Sequence, residues 1–548
     1  MLNLPPIECD LQGLAPDQLQ ALFFATYKTS AARMTAIEQM LRGPAGSRLR
    51  EQIGHWVIQR LPVEELVPEK YVHWRPLVQD AMLFMFLHLS VERLAPKLVE
   101  QLELPPDIPT GERLLRLIAK VPGLQKLGQV LARNRNLLPA LRQSLTELEN
   151  GICDMHAREV RTTVMQELGP RLRRYSVRLK PGIFSEASVS AVLRFTWGDP
   201  DRKRRRERGV LKVMKPYIPT CFAEDMELLA QLAKHVERKH REYGFARRVL
   251  PETFSDVRQL LQHEVDFSRE QATLQEAFRA YGTALGVRVP RLIQPLCTAK
   301  ITAMTEERGV KVTDAAAHMP GWRRAQLSEL LVEAFLAVPL FSSEKDAMFH
   351  ADPHAGNLLY DERNARLVIL DWALTERVSR EQRRHLAMLF FMTALRDPDG
   401  ICRQIQAISR GGVKRKASQT KMVRECVNAF IERLPLTRVP GATDTLELLE
   451  NIAFKGVRLP APLIMLRKVL FTLDGVQHDI GGPEINMLAV LARYATPRWL
   501  TSWSAFGAPL SLRDWLAVQS STLSYGKRMW KQGAQALLSR SRAAAHSA

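Results

Sequence analysis

The sequence predicts an α+β protein of two lobes, a small β-rich lobe followed by a larger helical one, with a helical extension in front. Three observations lead there. Up to about residue 175 apolar residues recur at helical spacing, as in Leu114, Leu115, Ile118 and Ala119. The stretch 188–214 then changes to short β-branched and aromatic runs around a charged turn. From Gly321 onward the helical texture returns, interrupted only by a strand-turn-strand over Asn357–Leu370.

In order, the extension is expected over 1–105 and a second helical segment over 106–178, separated by the proline-rich break Leu104–Pro109. The small lobe is expected over 179–306. Ser188–Trp197 and Val210–Met214 read as a β-hairpin with the basic tip Gly198–Gly209, and Arg288–Ile293 with Ala299–Met304 as a second strand pair. Between them Phe222–Tyr281 reads as helical. The helical lobe is expected over 307–500 and a basic tail over 501–548.

The chain has 548 residues, a formal charge of +20 and a pI near 9.9, a balance that favours anionic partners. The basic tip lacks interleaved aromatics and any zinc-finger or RNA-binding signature, so it reads as a solvated loop and no nucleic acid is expected. The six cysteines are scattered without a CxxC pair, which excludes a zinc framework and points to a reducing compartment. No apolar run approaches the roughly 18 residues of a membrane span, and the N-terminus lacks a basic-then-apolar signal peptide. A cytoplasmic location follows, with peripheral contact at the inner face of a membrane. The tail Ser524–Ala548 carries Lys527, Arg528, Lys531, Arg540 and Arg542 without an acid, as a helix on an anionic lipid surface would.

The chemistry-bearing segment is His350–Asp371. Phosphoryl transfer from a nucleotide needs a cation on the phosphates, groups that hold magnesium, and a carboxylate that orients the attacking oxygen. Asp352 and Asn357 have the Asp-x-x-x-x-Asn spacing of a kinase catalytic loop, and an apolar run then delivers Asp371. A His350/His354 zinc pair would need a continuous helix. Pro353 and Gly356 make this a loop, so both histidines are assigned packing and hydrogen-bonding roles.

The motif HADPHAGN resembles the catalytic loop of the UbiB/AarF family of atypical protein-kinase-like proteins, associated with ubiquinone biosynthesis. Other landmarks occur in family order: Lys126-Leu127-Gly128-Gln129, then Val210–Pro216 carrying Lys212, then Glu264-Val265-Asp266-Phe267-Ser268-Arg269-Glu270. The resemblance implies a bilobal protein-kinase-like fold that uses ATP and Mg2+. It implies Lys212 on the phosphates, Glu270 as its partner, Asp352 as catalytic carboxylate, and Asn357 and Asp371 as magnesium ligands. Ala187, Ser188 and Met304 complete the nucleotide-contacting set. Lys126, Gly128 and Gln129, faced by Glu264 and Asp266, would regulate access to the site. A lipid or quinone-intermediate ligand is implied as well.

Two departures stand out. The family's alanine-rich loop is represented by Glu186–Val192, where only Ala187 and Ser188 fit, and Glu186 is expected to bring negative charge near phosphates unless it points away. In Asp371-Trp372-Ala373, Ala stands where Gly is usual, restricting that backbone to negative φ. Two alternatives remain open: a small-molecule phosphotransferase of aminoglycoside-kinase type, and a non-catalytic kinase-fold scaffold that binds lipid.

Overall fold

The computed structural model describes residues 16–60, 75–122, 155–200, 206–243, 261–409, 417–435, 440–481, 487–501 and 510–527, isolated positions and pairs aside. Lys126, Gly128, Gln129, Leu114, Leu115, Ile118, residues 201–205 of the hairpin tip and most of the basic tail lie outside the described residues. The chain divides into two compact units. One comprises Met1–Ser268 with Ile293–Glu306, the other Arg269–Leu292 with Glu307–Ala548.

The strands, in chain order, are β1 (Arg178–Leu179), β2 (Ser185–Glu186), β3 (Ser190–Trp197), β4 (Glu207–Met214), β5 (Val287–Arg288), β6 (Ile301–Thr305), β7 (Val310–Lys311), β8 (Asp346–His350), β9 (Leu358–Asp361), β10 (Arg366–Ile369) and β11 (Thr375–Ser379).

The first unit begins with the helices Pro16–Thr26, Ser30–Arg42, Gly46–Arg60, Arg75–His88 and Val91–Glu103. Leu94, Leu98 and Leu102 recur one turn apart on the last of these and are buried, as an amphipathic stripe should be. The cluster they join also takes Leu228, Leu232 and Val236 from the helix Ile218–Arg238. Arg93 seals the join, 2.7 Å from the fully buried Asp225.

The sheet of this unit runs β1-β3-β4-β6, with β2 also paired to β3, at Ala191–Val192, alongside β1. Ala191, Leu193, Phe195 and Trp197 alternate along β3 and pack, with Leu211 and Val213 of β4, against Val160, Val164 and Leu168 of the helix Ala157–Leu168. Gly209 permits the close approach of β4, since a Cβ there would stand 2.6 Å from the Phe195 ring and 3.0 Å from the Met304 carbonyl.

The second unit holds a four-stranded sheet in the order β5-β10-β9-β7 and a separate ladder of β8 with β11. Its helices include Gly321–Val332, which runs on through a π-turn at Glu333–Ala337, then Arg380–Ala394, Pro398–Ile408, Ala417–Arg433, Ala442–Phe454, Ala461–Ile480 and Met487–Thr501.

Three expectations are corrected. Arg288–Ile293 and Ala299–Met304 are not a strand pair: β6 pairs antiparallel with β4, whereas β5 pairs in parallel with β10. Pro290 and Pro295, which lack an N–H for a ladder, break the chain between them. The helical lobe is interrupted a second time, by β8 and β11, because the short apolar run Ala347–Phe349 reads as a helical continuation until its partner strand is known. The helical stretch expected over Phe222–Tyr281 is interrupted: among the described residues it appears as helix over Ile218–Arg238, 261–265 and Phe267–Ala280, with turns over 239–243. No described helix is long and apolar enough to cross a membrane.

Candidate active site

In the first unit Lys212 lies at the middle of the sheet, opposite Val192 on β3 and Thr302 on β6, and is buried. Its Nζ stands 5.6 Å from the centroid of the buried Phe267 ring, a cation–π contact on the motif that carries Glu264 and Asp266. Met304, on β6, pairs with Val210.

The alanine-rich loop is the tight connection between β2 and β3, closed by Ala187 N–H donating to the Ser190 carbonyl at 2.8 Å. Ser188 Oγ reaches Glu264 Oε2 at 3.5 Å. Glu186 does not stand as an open negative charge at this loop. Its carboxylate is buried against the ammonium of Lys215, 3.2 Å away, and the Lys215 side chain has no exposed surface. Lys215 also donates its backbone N–H to the Val189 carbonyl at 3.0 Å, so one residue ties both arms of the loop. The signal for that pair was present as a second lysine in Val-Met-Lys-Pro, but only the fold brings it to Glu186.

In the second unit the loop after β8 carries Asp352 and Asn357, and β10 ends just before Asp371. Two backbone hydrogen bonds pin these segments together: Ala351 N–H to the Leu374 carbonyl at 3.0 Å, and Leu370 N–H to the Asn357 carbonyl at 2.8 Å. Asn357 Nδ2 donates to the Asp352 carbonyl at 3.2 Å. The fully buried His350 accepts from the Asp352 N–H at 3.2 Å through Nδ1, which leaves the proton on Nε2 to be donated to the Asp371 carbonyl at 2.8 Å. Burial holds the imidazole below its ordinary pKa, against the opposing pull of the Asp352 and Asp371 charges, so the ring stays neutral. Phe335, from the π-turn, and Trp372 meet it edge-on at 5.7 and 5.0 Å between centroids.

Asp371 itself has φ 47°, the left-handed region, and its Oδ1 accepts from the Ala373 N–H at 3.1 Å. Aspartate tolerates this conformation better than most residues because its short carboxylate caps its own turn. Ala373 is absent from the positive-φ residues, so alanine costs nothing at that position here. The helix Phe267–Ala280 holds the turn, with Thr273 Oγ1 donating to the Trp372 carbonyl at 2.7 Å. Glu270, one turn earlier on this helix and 2% exposed, belongs to the second unit with Asp371, whereas Lys212 belongs to the first.

Among the described residues, His354 and Lys468 flank the Asp352 carboxylate. His354 Nε2 is 3.8 Å from Oδ2 and Lys468 Nζ is 3.7 Å from Oδ1. Nothing in the spacing of Lys468, more than a hundred residues downstream, signals that approach.

As ligands, the Asp371 carboxylate and the Asn357 amide oxygen are hard oxygen donors. Two such groups suit magnesium, which binds through one or two carboxylates with substrate phosphates and water filling the rest. The described residues hold no cluster of three or more His, Cys, Asp or Glu of the kind that a softer metal would need.

The ABC1 atypical kinase-like domain matches residues 147–405. A protein named "Probable protein kinase UbiB" from Pseudomonas putida is 25% identical over 404 residues, covering 72% of this chain and 72% of its own. "Protein ACTIVITY OF BC1 COMPLEX KINASE 8, chloroplastic" from Arabidopsis thaliana is 25% identical over 352 residues, covering 63% and 44% respectively. A solved chain from Mycobacterium tuberculosis, "The complex structure of Rv3197-erythromycin", shares 16% identity at a TM-score of 0.44, covering 68% of this chain and 90% of its own. A likeness that loose adds no argument. The domain match, the relatives and the α+β arrangement of the motifs agree: over 147–405 this chain carries an ABC1 atypical kinase-like domain with a kinase-like fold, and it is similar to the UbiB proteins.

Proposed function

We propose that this UbiB-type chain is a magnesium-dependent enzyme that hydrolyses ATP in support of ubiquinone or other isoprenoid-lipid metabolism. The observation that carries the reading is the joining of Asp352, Asn357 and Asp371 through one buried neutral imidazole and direct backbone bonds. Such an array is preorganised for charge, which is what phosphoryl transfer asks of a protein.

In this reading Asn357 and Asp371 would hold magnesium, which when bound neutralises and orients the phosphates. Lys212 would meet the phosphates and Glu270 would position it, while Ala187, Ser188 and Met304 would contact the nucleotide. Asp352 would orient the attacking water and accept its proton as the γ-phosphoryl group leaves ADP. The resemblance further assigns Lys126, Gly128 and Gln129, with Glu264 and Asp266, to covering the site, which disfavours protein acceptors. A lipid or quinone intermediate and an anionic membrane surface are the partners it implies.

Thermal unfolding with and without Mg-ATP tests the reading. A ligand at 100 times its dissociation constant that binds only the folded state adds about 2.7 kcal/mol. The native chain should show that shift, and Asp371→Asn should largely lose it. Absence of any shift at saturating Mg-ATP sinks the nucleotide reading. Phosphate transfer to a soluble metabolite, in place of hydrolysis, would favour a small-molecule phosphotransferase.

A further inference from the structure

Lys468 lies beyond the residues that the ABC1 domain matches, yet it is a cation in ion-pair range of Asp352. The helix that carries it is firmly seated: Leu463, Leu466, Val469, Leu470, Leu473 and Val476 form a buried face at helical spacing. Lys468 stands at the flank of that face. Its neighbour Arg467 is engaged elsewhere, by Glu450 at 2.5 Å and by the Phe471 ring. The helix therefore addresses one cation to the loop after β8.

The geometry is asymmetric. Asp352 is 8% exposed in its side chain and Lys468 is 38% exposed, so the ammonium approaches the carboxylate from the solvent side. At 3.7 Å the pair is too long for a direct hydrogen bond but close enough to hold the carboxylate electrostatically. His354 Nε2 stands at a similar distance from the other oxygen, 3.8 Å. A half-exposed pair of this length contributes little to folding stability. Its effect falls on orientation, where a small misplacement of a reacting group costs much more rate than the contact is worth in stability.

We propose that Lys468 is a positioning residue for Asp352: together with His354 it fixes the rotation of the carboxylate, so that one oxygen faces the attacking oxygen. The proposal rests on the reading of Asp352 as the proton acceptor.

The test compares Lys468→Met, Lys468→Arg and Asp352→Asn in the full chain. Three measurements are made on each: the unfolding midpoint without nucleotide, the Mg-ATP-induced shift of that midpoint, and steady-state ATP turnover. Lys468→Met should keep the midpoint, the Mg-ATP shift and KM near native values, while kcat falls about 10- to 100-fold. Lys468→Arg should restore kcat to within about fivefold, because it keeps the cation. In the Asp352→Asn background Lys468→Met should cost nothing further, since residues acting as a unit are non-additive.

Native kcat in Lys468→Met overturns the proposal. So does a loss of kcat that comes with a lost Mg-ATP shift or a lowered midpoint, which marks a structural role. An additive loss on top of Asp352→Asn overturns it too. If the native chain binds Mg-ATP but does not hydrolyse it, the reading of Asp352 fails and takes this inference with it; if native turnover stands and only Lys468→Met is silent, this inference alone fails.

Discussion

The fully buried His350 donates its Nε2 proton to the backbone carbonyl of Asp371, 2.8 Å away. Since the other ring nitrogen accepts from the Asp352 N–H, one imidazole orders two acid-bearing segments. Replacing it by Phe preserves the ring contacts with Phe335 and Trp372 but orphans the part-buried Asp371 carbonyl and the buried Asp352 N–H. At about 1–3 kcal/mol for each unsatisfied group, His350→Phe should lower the unfolding free energy by about 2–6 kcal/mol in urea titrations. Turnover should fall with it, and a variant of native stability and rate would remove His350 from this role.

The Glu186–Lys215 pair makes a second prediction. Breaking a buried ion pair from one side leaves a charge without compensation, at a cost of about 3–5 kcal/mol, whereas replacing both partners by apolar residues is often close to neutral. Lys215→Met should therefore be strongly destabilising, and Lys215→Met with Glu186→Leu should recover most of the loss. A double-mutant cycle on unfolding free energies reads the coupling directly. Additive single effects would contradict the pairing.

How much of this was legible in the sequence depended on whether a signal was local. The β3–β4 hairpin announced itself through alternation and a charged turn, and β9–β10 through two apolar runs flanking Asp361–Asn364. The ladder of β8 and β11 did not, because its two strands are separated by the whole His350–Leu374 segment and each is short. In the candidate site, the approach of the Asp352–Asn357 loop to the Asp371 turn was legible from the strand-turn-strand between them, as was a hydrogen-bonding role for His350. Glu186 was misjudged because its charge is cancelled by Lys215, twenty-nine residues away in the chain and 3.2 Å away in space. Lys468 was invisible for the same reason on a longer scale: a lysine in an apolar helix carries no record of what it faces.

Asp352→Asn keeps the size of the side chain but removes its charge and its capacity to accept a proton. Mg-ATP should still stabilise the variant to the native extent, while phosphate release drops by about 10²- to 10⁴-fold, the range for loss of a general base. Calorimetric nucleotide binding beside a phosphate-release assay separates the two effects. Undiminished release would remove Asp352 from the chemistry.

Lys97 in the helical extension provides a pH test. Burial lowers its pKa from 10.5 to about 8, and its ammonium is bonded to the Ala119 carbonyl. Between pH 8 and 10.5 the unfolded chain holds a proton that the folded chain has released, so stability should rise with pH across that window. Below it the residue is charged in both states and the folded state bears the burial cost in full. Lys97→Met should add about 1–3 kcal/mol at pH 7, and it should flatten the rise above pH 8 in thermal unfolding followed by circular dichroism. A destabilised variant with an unchanged pH slope would contradict this account.

The cluster shared by the N-terminal helices and the helix Ile218–Arg238 has a consequence for how this chain is divided and compared. The domain match begins at residue 147, so its boundary cuts through a hydrophobic core, with Leu94 and Leu98 on one side and Leu228 and Leu232 on the other. A fragment trimmed to the matched residues would bare that face of Ile218–Arg238 and invite aggregation rather than yield a minimal enzyme. The extension and the matched domain thus form one folding commitment, and neither should fold as a separate module when cut at residue 147.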